Sequence, residues 1–248
     1  MKTLRNQTLL YDEDCPLCKV YTSGFIKVGM LDENGKKSYC RLSEQEQNYI
    51  DVKRASNEIA LFDNVNKTVI YGIESLLKVI GFSFPWMAKV GNIRPVKYLL
   101  QKLYSFISYN RKVIIPGKIN KVIALQCVPD FSFMYRNLLI IFTISVSSFL
   151  FHLFDKQFSI LEIIGFQMAL FLFQSLLFLK FSKEIVLNFL GNFAVSVFCG
   201  ALLLIPIIIL KIFFDIPENV HKAYFCAMLI VVVIDIFRRI QIIKFNLS

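Results

Sequence analysis

The chain opens on short apolar runs separated by polar turns and closes on long apolar runs. Thr8 to Asp12 reads as a short buried strand, and Pro16 to about Met30 as a helix with proline in its first turn, where the missing N–H costs nothing. Asp32 to Lys37 is a turn, and the alternation from Ser38 to Leu42 predicts a second strand. Ser43 opens a second helix with a polar body from Gln45 to Arg54, and Glu46, three residues on, completes a capping box. Glu58 to Phe62 and Lys67 to Tyr71 read as two further strands, joined into a hairpin by Asp63-Asn64-Val65-Asn66. Ile73, Leu76, Leu77 and Ile80 then recur at helical spacing.

The pattern changes in the second half. Leu138 to Phe154, Phe158 to Leu179 and Ile185 to Leu210 are long apolar runs, and Tyr224 to Phe237 is a fourth that reaches spanning length when extended from Val220 to Ile243. A span needs about 20 mostly apolar residues, so the reading is an all-α transmembrane bundle of about four helices. Asp235, which interrupts the fourth run, is set to pair with Arg238 or Arg239. Glu162, Gln167, Gln174, Asn188, Asn192 and Asp235 are the polar residues of these runs. The choice for them lies between interhelical hydrogen bonding (or, for Glu162 and Asn188, an interfacial position), which is preferred, and a quinone or ion site.

Charge sharpens the division. Residues 1–136 carry 20 Lys/Arg and 12 Asp/Glu, and residues 137–248 only 8 and 6. The expected domains are 1–115, a basic juxtamembrane linker at 116–136, and a four-span membrane domain at 137–248. Residues Met1 to Gln7 are polar and the apolar run after them is too short for a secretory core. The basic residues flanking the first span (Arg111, Lys112, Lys118, Lys121 and Arg136) and following the last (Arg238, Arg239 and Lys244) place both termini in the cytoplasm by the positive-inside bias. The expected setting is therefore multi-pass, of the bacterial inner-membrane kind.

Ser75 to Pro129 contains nine basic residues and no acidic one, interleaved with Trp86, Tyr98, Tyr104, Phe106 and Tyr109. Val96 to Ile107 reads as an amphipathic basic helix. Such a stripe suits single-stranded nucleic acid. Its place just before the spans makes anionic lipid the simpler partner, with Lys97, Lys102, Arg111 and Lys112 at the membrane surface and no nucleic acid expected.

Of six cysteines, only Cys15 and Cys18 have motif spacing. They stand where the first strand gives way to the first helix. A helix N-terminus favours the thiolate of Cys15, and one turn brings Cys18 within reach of it. Cys15, as the exposed partner, is the expected nucleophile and Cys18 the resolving thiol. Asp12, Glu13 and Asp14 oppose the thiolate, so a strongly acidic Cys15 is not expected. The competing reading, half of a zinc site, lacks a second ligand pair, because Cys40 and Cys127 are single and His152 and His221 lie in the apolar half. No metal is expected. Cys40, Cys199 and Cys226 read as ordinary buried thiols.

The element order, βαβα then ββα, is that of the thioredoxin fold. Tyr11-Asp12-Glu13-Asp14-Cys15-Pro16-Leu17-Cys18 resembles the opening motif of the DCC-family thiol-disulfide oxidoreductases, which is named for an Asp and two Cys spaced as Asp12, Cys15 and Cys18 are. The likeness continues at Tyr71-Gly72-Ile73-Glu74-Ser75-Leu76-Leu77 and Tyr109-Asn110-Arg111, and covers roughly residues 7–115. It departs at Glu13, where the family has glycine, and at Ser56-Asn57-Glu58, where thioredoxins carry a cis-proline. The resemblance implies an α/β thioredoxin-like domain and an oxidoreductase role. The resulting expectation is a membrane-tethered thiol-disulfide oxidoreductase in which Asp12 and Pro16 support Cys15 and Cys18. Its redox group is the disulfide itself, with a quinone as the other candidate cofactor, and its partner is a thiol or disulfide protein. The alternatives are a non-enzymatic membrane protein with a degenerate partner-binding domain, and quinone-linked electron transfer through the bundle.

Overall fold

The computed structural model describes residues 2–118, 127–177 and 180–247, which gather into two compact units, Met1–Phe131 and Ser132–Ser248. The chain order in the first unit is β1 (Gln7–Tyr11), α1 (Pro16–Lys27), β2 (Lys36–Ser38), α2 (Glu44–Gln47), α3 (Val52–Asn57), β3 (Ala60–Asp63), β4 (Val69–Tyr71), α4 (Ile73–Ser83), α5 (Pro85–Gly91) and α6 (Arg94–Ile114). The strands form one mixed sheet in the order β2-β1-β3-β4, with β1 parallel to β2 and antiparallel to β3. This arrangement is consistent with a thioredoxin-like fold.

Period-two alternation divides the core between the two faces of the sheet. Leu10, Ala60 and Phe62 point to the face covered by Tyr39, Ile50 and Ala55. Leu9 and Leu61, opposite one another in the β1–β3 ladder, point to the other, where Tyr21 and Phe25 of α1, Val79 of α4 and Tyr104 of α6 cover them. Each such leucine, fully withdrawn from water, contributes about 1.5–3 kcal/mol.

Two expected elements are displaced. The second strand ends at Ser38 rather than starting there, and Tyr39–Arg41 is a 3-10 turn. Ser38 Oγ accepts the Cys40 N–H, and Tyr39 turns inward to donate to the Val52 carbonyl at 2.8 Å, which pulls the chain off the sheet. The helix expected over 43–54 is broken in two. The Ser43/Glu46 capping box forms as expected, but Asp51 then caps a separate helix by accepting from Arg54 N–H at 2.9 Å. Gly72, quoted in the resemblance, has φ +65 at the head of α4; a Cβ there would also meet the Glu58 carboxylate at 2.9 Å.

The second unit is helical: α7 (Phe133–Phe154), α8 (Ile160–Leu177), α9 (Lys183–Leu203), α10 (Ile205–Phe213) and α11 (Glu218–Leu247). Among the described residues, two stretches are long and apolar enough to cross a membrane, Phe133–Phe154 and Lys183–Phe213. The four-span expectation is thus met by two segments on length and composition. α8 is shorter, with residues 178 and 179 of the expected second run outside the described residues, and α11 carries more charge.

Four of the six polar residues, Gln167, Asn188, Asn192 and Asp235, join helices, as the preferred reading expects, whereas Glu162 does not and Gln174 Oε1 is buried without a hydrogen bond. Ser147 of α7 donates to Gln167 of α8 at 3.2 Å, and Arg136 of α7 to Asn188 of α9 at 2.7 Å. Asp235 of α11 holds Arg238 and Arg239 at 2.7 and 2.6 Å, the pairing its spacing predicts, and accepts from Ser196 of α9. Arg239 also donates to Asn192 at 3.2 Å. Glu162 is exposed and caps the start of α8 through Ser159. Cys199 and Cys226, expected to be buried, lie exposed on α9 and α11, because the buried rows of these helices are taken by Asn192, Ser196 and Gly200 and by Met228 and Val232.

These contacts orient the helices. The starts of α7 and α9 meet at Arg136–Asn188, and the start of α9 meets the later part of α11 at Asn192–Arg239. At the other end, His221 near the start of α11 approaches the Phe154 carbonyl at 3.1 Å. α7 and α9 therefore run the same way and α11 runs against them.

α9 and α11 pack closely at Gly200, where a Cβ would meet Val232 Cγ2 at 2.2 Å. Gly200→Ala is expected to lower stability in detergent by about 1–3 kcal/mol through overpacking. Gly165→Ala, with nothing within 4 Å, is expected to leave the thermal midpoint unlowered.

Candidate dithiol site

Strand β1 ends at Tyr11, and the next residues turn the chain into α1. The Cys15 N–H closes this turn by donating to the Asp12 carbonyl at 3.2 Å, and Asp12 Oδ1 accepts the Asp14 N–H at 3.0 Å. Cys15 is the N-cap residue, with extended backbone, and Pro16 lies in the first turn of the helix. Glu13, at the family's glycine position, does not have positive φ and approaches Arg41 at 3.5 Å, so a side chain is accommodated there without strain. Cys15 and Cys18 are both free thiols.

Cys15 is not the exposed partner that its place at a helix start suggests. It is 1% exposed and Cys18 6%. The chain beyond α6 returns over this loop. Pro116 is buried, and Gly117 passes so close that a Cβ on it would lie 2.0 Å from the Asp14 carbonyl oxygen and 3.2 Å from the Pro16 ring. Nothing in the local sequence around the cysteines announces a strap that arrives a hundred residues later.

The Cys15 thiol is lowered to about 7, chiefly because Cys18 hydrogen-bonds its sulfur, with Arg111 helping and burial and Asp12 opposing. The same hydrogen bond, together with burial, pushes Cys18 up. This split suits a nucleophile and a thiol that reacts second. Tyr21, one turn beyond Cys18 on α1, hydrogen-bonds the Cys18 sulfur, and its hydroxyl is raised by burial. Its i,i+3 spacing from Cys18 was the available signal for this contact.

Asp12 is 3% exposed and has two cations beside it: Lys112 Nζ at 3.2 Å and Arg111 Nη2 at 3.7 Å. Removing one partner of a buried pair costs about 3–5 kcal/mol, so the cluster is held by what breaking it would expose. Asp12 still opposes the Cys15 thiolate, as expected, Arg111 works the other way, and Glu13 is turned to Arg41.

Arg111 and Lys112 are therefore not membrane-surface residues. Both face inward at the end of α6 because Asp12 is there to receive them. Arg111 also donates to the carbonyls of Ser56 at 2.7 Å and Asn57 at 3.3 Å, so a guanidinium occupies the stretch where a thioredoxin carries its proline. Among the described residues there is no cis peptide bond. Lys97 is half-buried and pairs with Glu74 at 2.5 Å. Lys102 is exposed, as expected, and lies 5.4 Å above the Tyr98 ring. Lys121 falls outside the described residues.

Cys127 enters the same neighbourhood. It is 3% exposed, its sulfur lies 3.5 Å from Arg111 Nη2, and burial pushes its thiol up to about 12. Cys40 is half-buried beside the same apolar cluster and is likewise raised by burial. Among the described residues no three His, Cys, Asp or Glu side chains gather as a metal-ligand set.

Residues 9–115 match the family described as DCC1-like thiol-disulfide oxidoreductase. The match takes in the end of β1, the dithiol loop and α6 with Arg111, and it supports a redox function for this part of the chain. No curated protein and no solved structure matches the chain.

Alkylation of Cys15, followed by mass spectrometry of its peptide, should rise with pH through a midpoint of about 7. In Cys18→Ala, which removes the hydrogen-bond donor, the midpoint should move up towards the ordinary thiol value of 9.0. Gly117→Ala should lift the strap and raise the alkylation rate of Cys15 severalfold with this midpoint unchanged. An unaltered rate would mean that the strap does not limit access.

Proposed function

We propose that the domain matching the DCC1-like thiol-disulfide oxidoreductase family carries out thiol-disulfide exchange through Cys15 and Cys18 while the helical unit holds it at a membrane. The observation that carries this reading is the split between the two thiols. Cys18 hydrogen-bonds the Cys15 sulfur, which lowers the Cys15 thiol to about 7 and pushes the Cys18 thiol up.

In the reductive direction, the Cys15 thiolate attacks one sulfur of a substrate disulfide. The substrate S–S bond breaks, a Cys15–substrate disulfide forms, and the departing thiolate is protonated. Cys18 then loses its proton to solvent and attacks Cys15 Sγ. The mixed disulfide breaks, the second substrate thiolate leaves and takes up a proton, and the Cys15–Cys18 disulfide remains. The substrate has gained the two electrons that the dithiol has lost. Asp12 is a positioning residue here. It accepts from the turn that presents Cys15 and fixes Arg111, whose charge favours the thiolate.

Membrane tethering extends the reading. Phe133–Phe154 and Lys183–Phe213 are of spanning length. α8, at 18 residues, is about 27 Å long at 1.5 Å per residue, close to the roughly 30 Å of a bilayer core. With α11 as the fourth crossing, the antiparallel run of α9 and α11 brings the start of α7 and the end of α11 to one face. That face carries Arg238, Arg239 and Lys244, which fits both termini in the cytoplasm by the positive-inside bias.

Cys18→Ser should arrest exchange at the mixed disulfide. Non-reducing electrophoresis of the full-length variant should show adducts that vanish on reduction and are absent from Cys15→Ser/Cys18→Ser. Mass spectrometry should place the link at Cys15. Absence of any adduct, together with no reduction of a model protein disulfide by the native chain, would overturn the exchange reading.

A further inference from the structure

We propose that α5 and the first half of α6 form a docking surface for a bilayer rich in anionic headgroups. The inference rests on the membrane reading above. It assigns lipid contact to particular side chains, and those side chains are mostly not the cations expected from sequence.

The surface is apolar first and basic second. Trp86, Val90 and Ile93 recur at i, i+4 and i+7 and are 63%, 47% and 51% exposed. Tyr98, Leu99 and Leu103 of α6 are 63%, 66% and 50% exposed. Six large apolar side chains left in water within 18 residues need an occupant. α6 does not lack a buried face. Tyr104 accepts the Ile59 N–H at 2.7 Å, Ser108 donates to the Asn57 carbonyl, and Arg111 runs to Ser56 and Asp12. The helix spends one side on the core and presents a second apolar side outward.

The charge pattern identifies the occupant. Lys89, Arg94 and Lys102 are exposed among the apolar positions, and Ser75 to Pro129 contains no acidic residue. Glu74, the acidic residue just before this stretch, is engaged with Lys97. A surface with an apolar row, an aromatic residue at its edge and unopposed cations beside it is complementary to the headgroup boundary of an anionic bilayer. A protein groove would be expected to meet this surface with hydrogen-bonding groups or carboxylates matched one by one. A lipid surface needs only the net sign and the apolar depth. α7, a helix of spanning length, starts at Phe133 in the same chain, so the bilayer is at hand.

Trp86 is the one tryptophan in the sequence, and it reports on this surface without labelling. The full-length chain is reconstituted into nanodiscs of phosphatidylcholine alone or with phosphatidylglycerol, with and without bromines on the acyl chains near the headgroup. In the anionic discs, Trp86 emission should be blue-shifted, protected from iodide and quenched by the brominated lipid. The triple variant Lys89→Glu/Arg94→Glu/Lys102→Glu, and the native chain in phosphatidylcholine alone, should lose most of that quenching. Water-like emission, open to iodide in every disc, would overturn the proposal. Shielded emission that bromine does not quench would overturn it in favour of a protein occupant. Equal quenching in all discs and in the triple variant would overturn the anionic specificity. Alkaline carbonate extraction of membranes separates this from the reading beneath it. A chain that resists extraction while Trp86 stays unquenched removes the docking surface alone, and a chain that is stripped from the membrane removes both.

Discussion

The first unit depends on one buried carboxylate. Asp12 is the point at which the start of the domain meets its end, because its partners Arg111 and Lys112 lie about a hundred residues away on the last helix. Its backbone and side chain also form the turn that presents Cys15. A charge so deeply withdrawn from water is tolerable only while its counter-charges stay in place, so the closing of the domain and the construction of the thiol site are the same event. Arg111 extends this dependence. By reaching the carbonyls of Ser56 and Asn57 it fastens the end of α3 to the site, and Asn57 in turn exchanges hydrogen bonds with Asp130.

What was legible in the sequence follows the range of the interactions involved. The alternation of β1, the Ser43/Glu46 capping box, the hairpin and the Asp235 pairing with Arg238 and Arg239 are decided within a few residues, and they are found where the local rules place them. The failures are of the opposite kind. Ser38 to Leu42 has strand alternation, but Tyr39 finds the Val52 carbonyl and leaves the sheet. Arg111 and Lys112 belong by sequence to a basic stripe, and only the three-dimensional position of Asp12 turns them inward. Cys15 has the local signature of an exposed helix start and is buried, in a loop that Gly117, a hundred residues later, approaches at Asp14 and Pro16.

The helical unit follows the sequence reading at four of its six polar residues and less fully in its lengths. Gln167, Asn188 and Asn192 tie neighbouring helices together, which is the service such groups perform where the surroundings offer no water. Apolar run length is a one-dimensional quantity, and among the described residues it marks two stretches of this unit as long and apolar enough to cross a membrane, with α8 a shorter apolar helix. The hydrogen bonds add direction, which run length does not carry.

The strap at Pro116 and Gly117 bears on the lifetime of the dithiol as well as on its reactivity. A thiol lowered to about 7 is, at neutral pH, open to peroxide, and its oxidation beyond the sulfenic acid is hard to reverse. With Cys15 closed off from solvent, small oxidants and disulfide substrates meet the same barrier, and both rates scale with the fraction of molecules in which the strap is lifted. A substrate able to stabilise the lifted form raises that fraction for itself, whereas peroxide has no surface with which to do so. On the exchange reading, burial of Cys15 separates partners by size and contact area, and lets its sulfur wait in the reduced state between encounters.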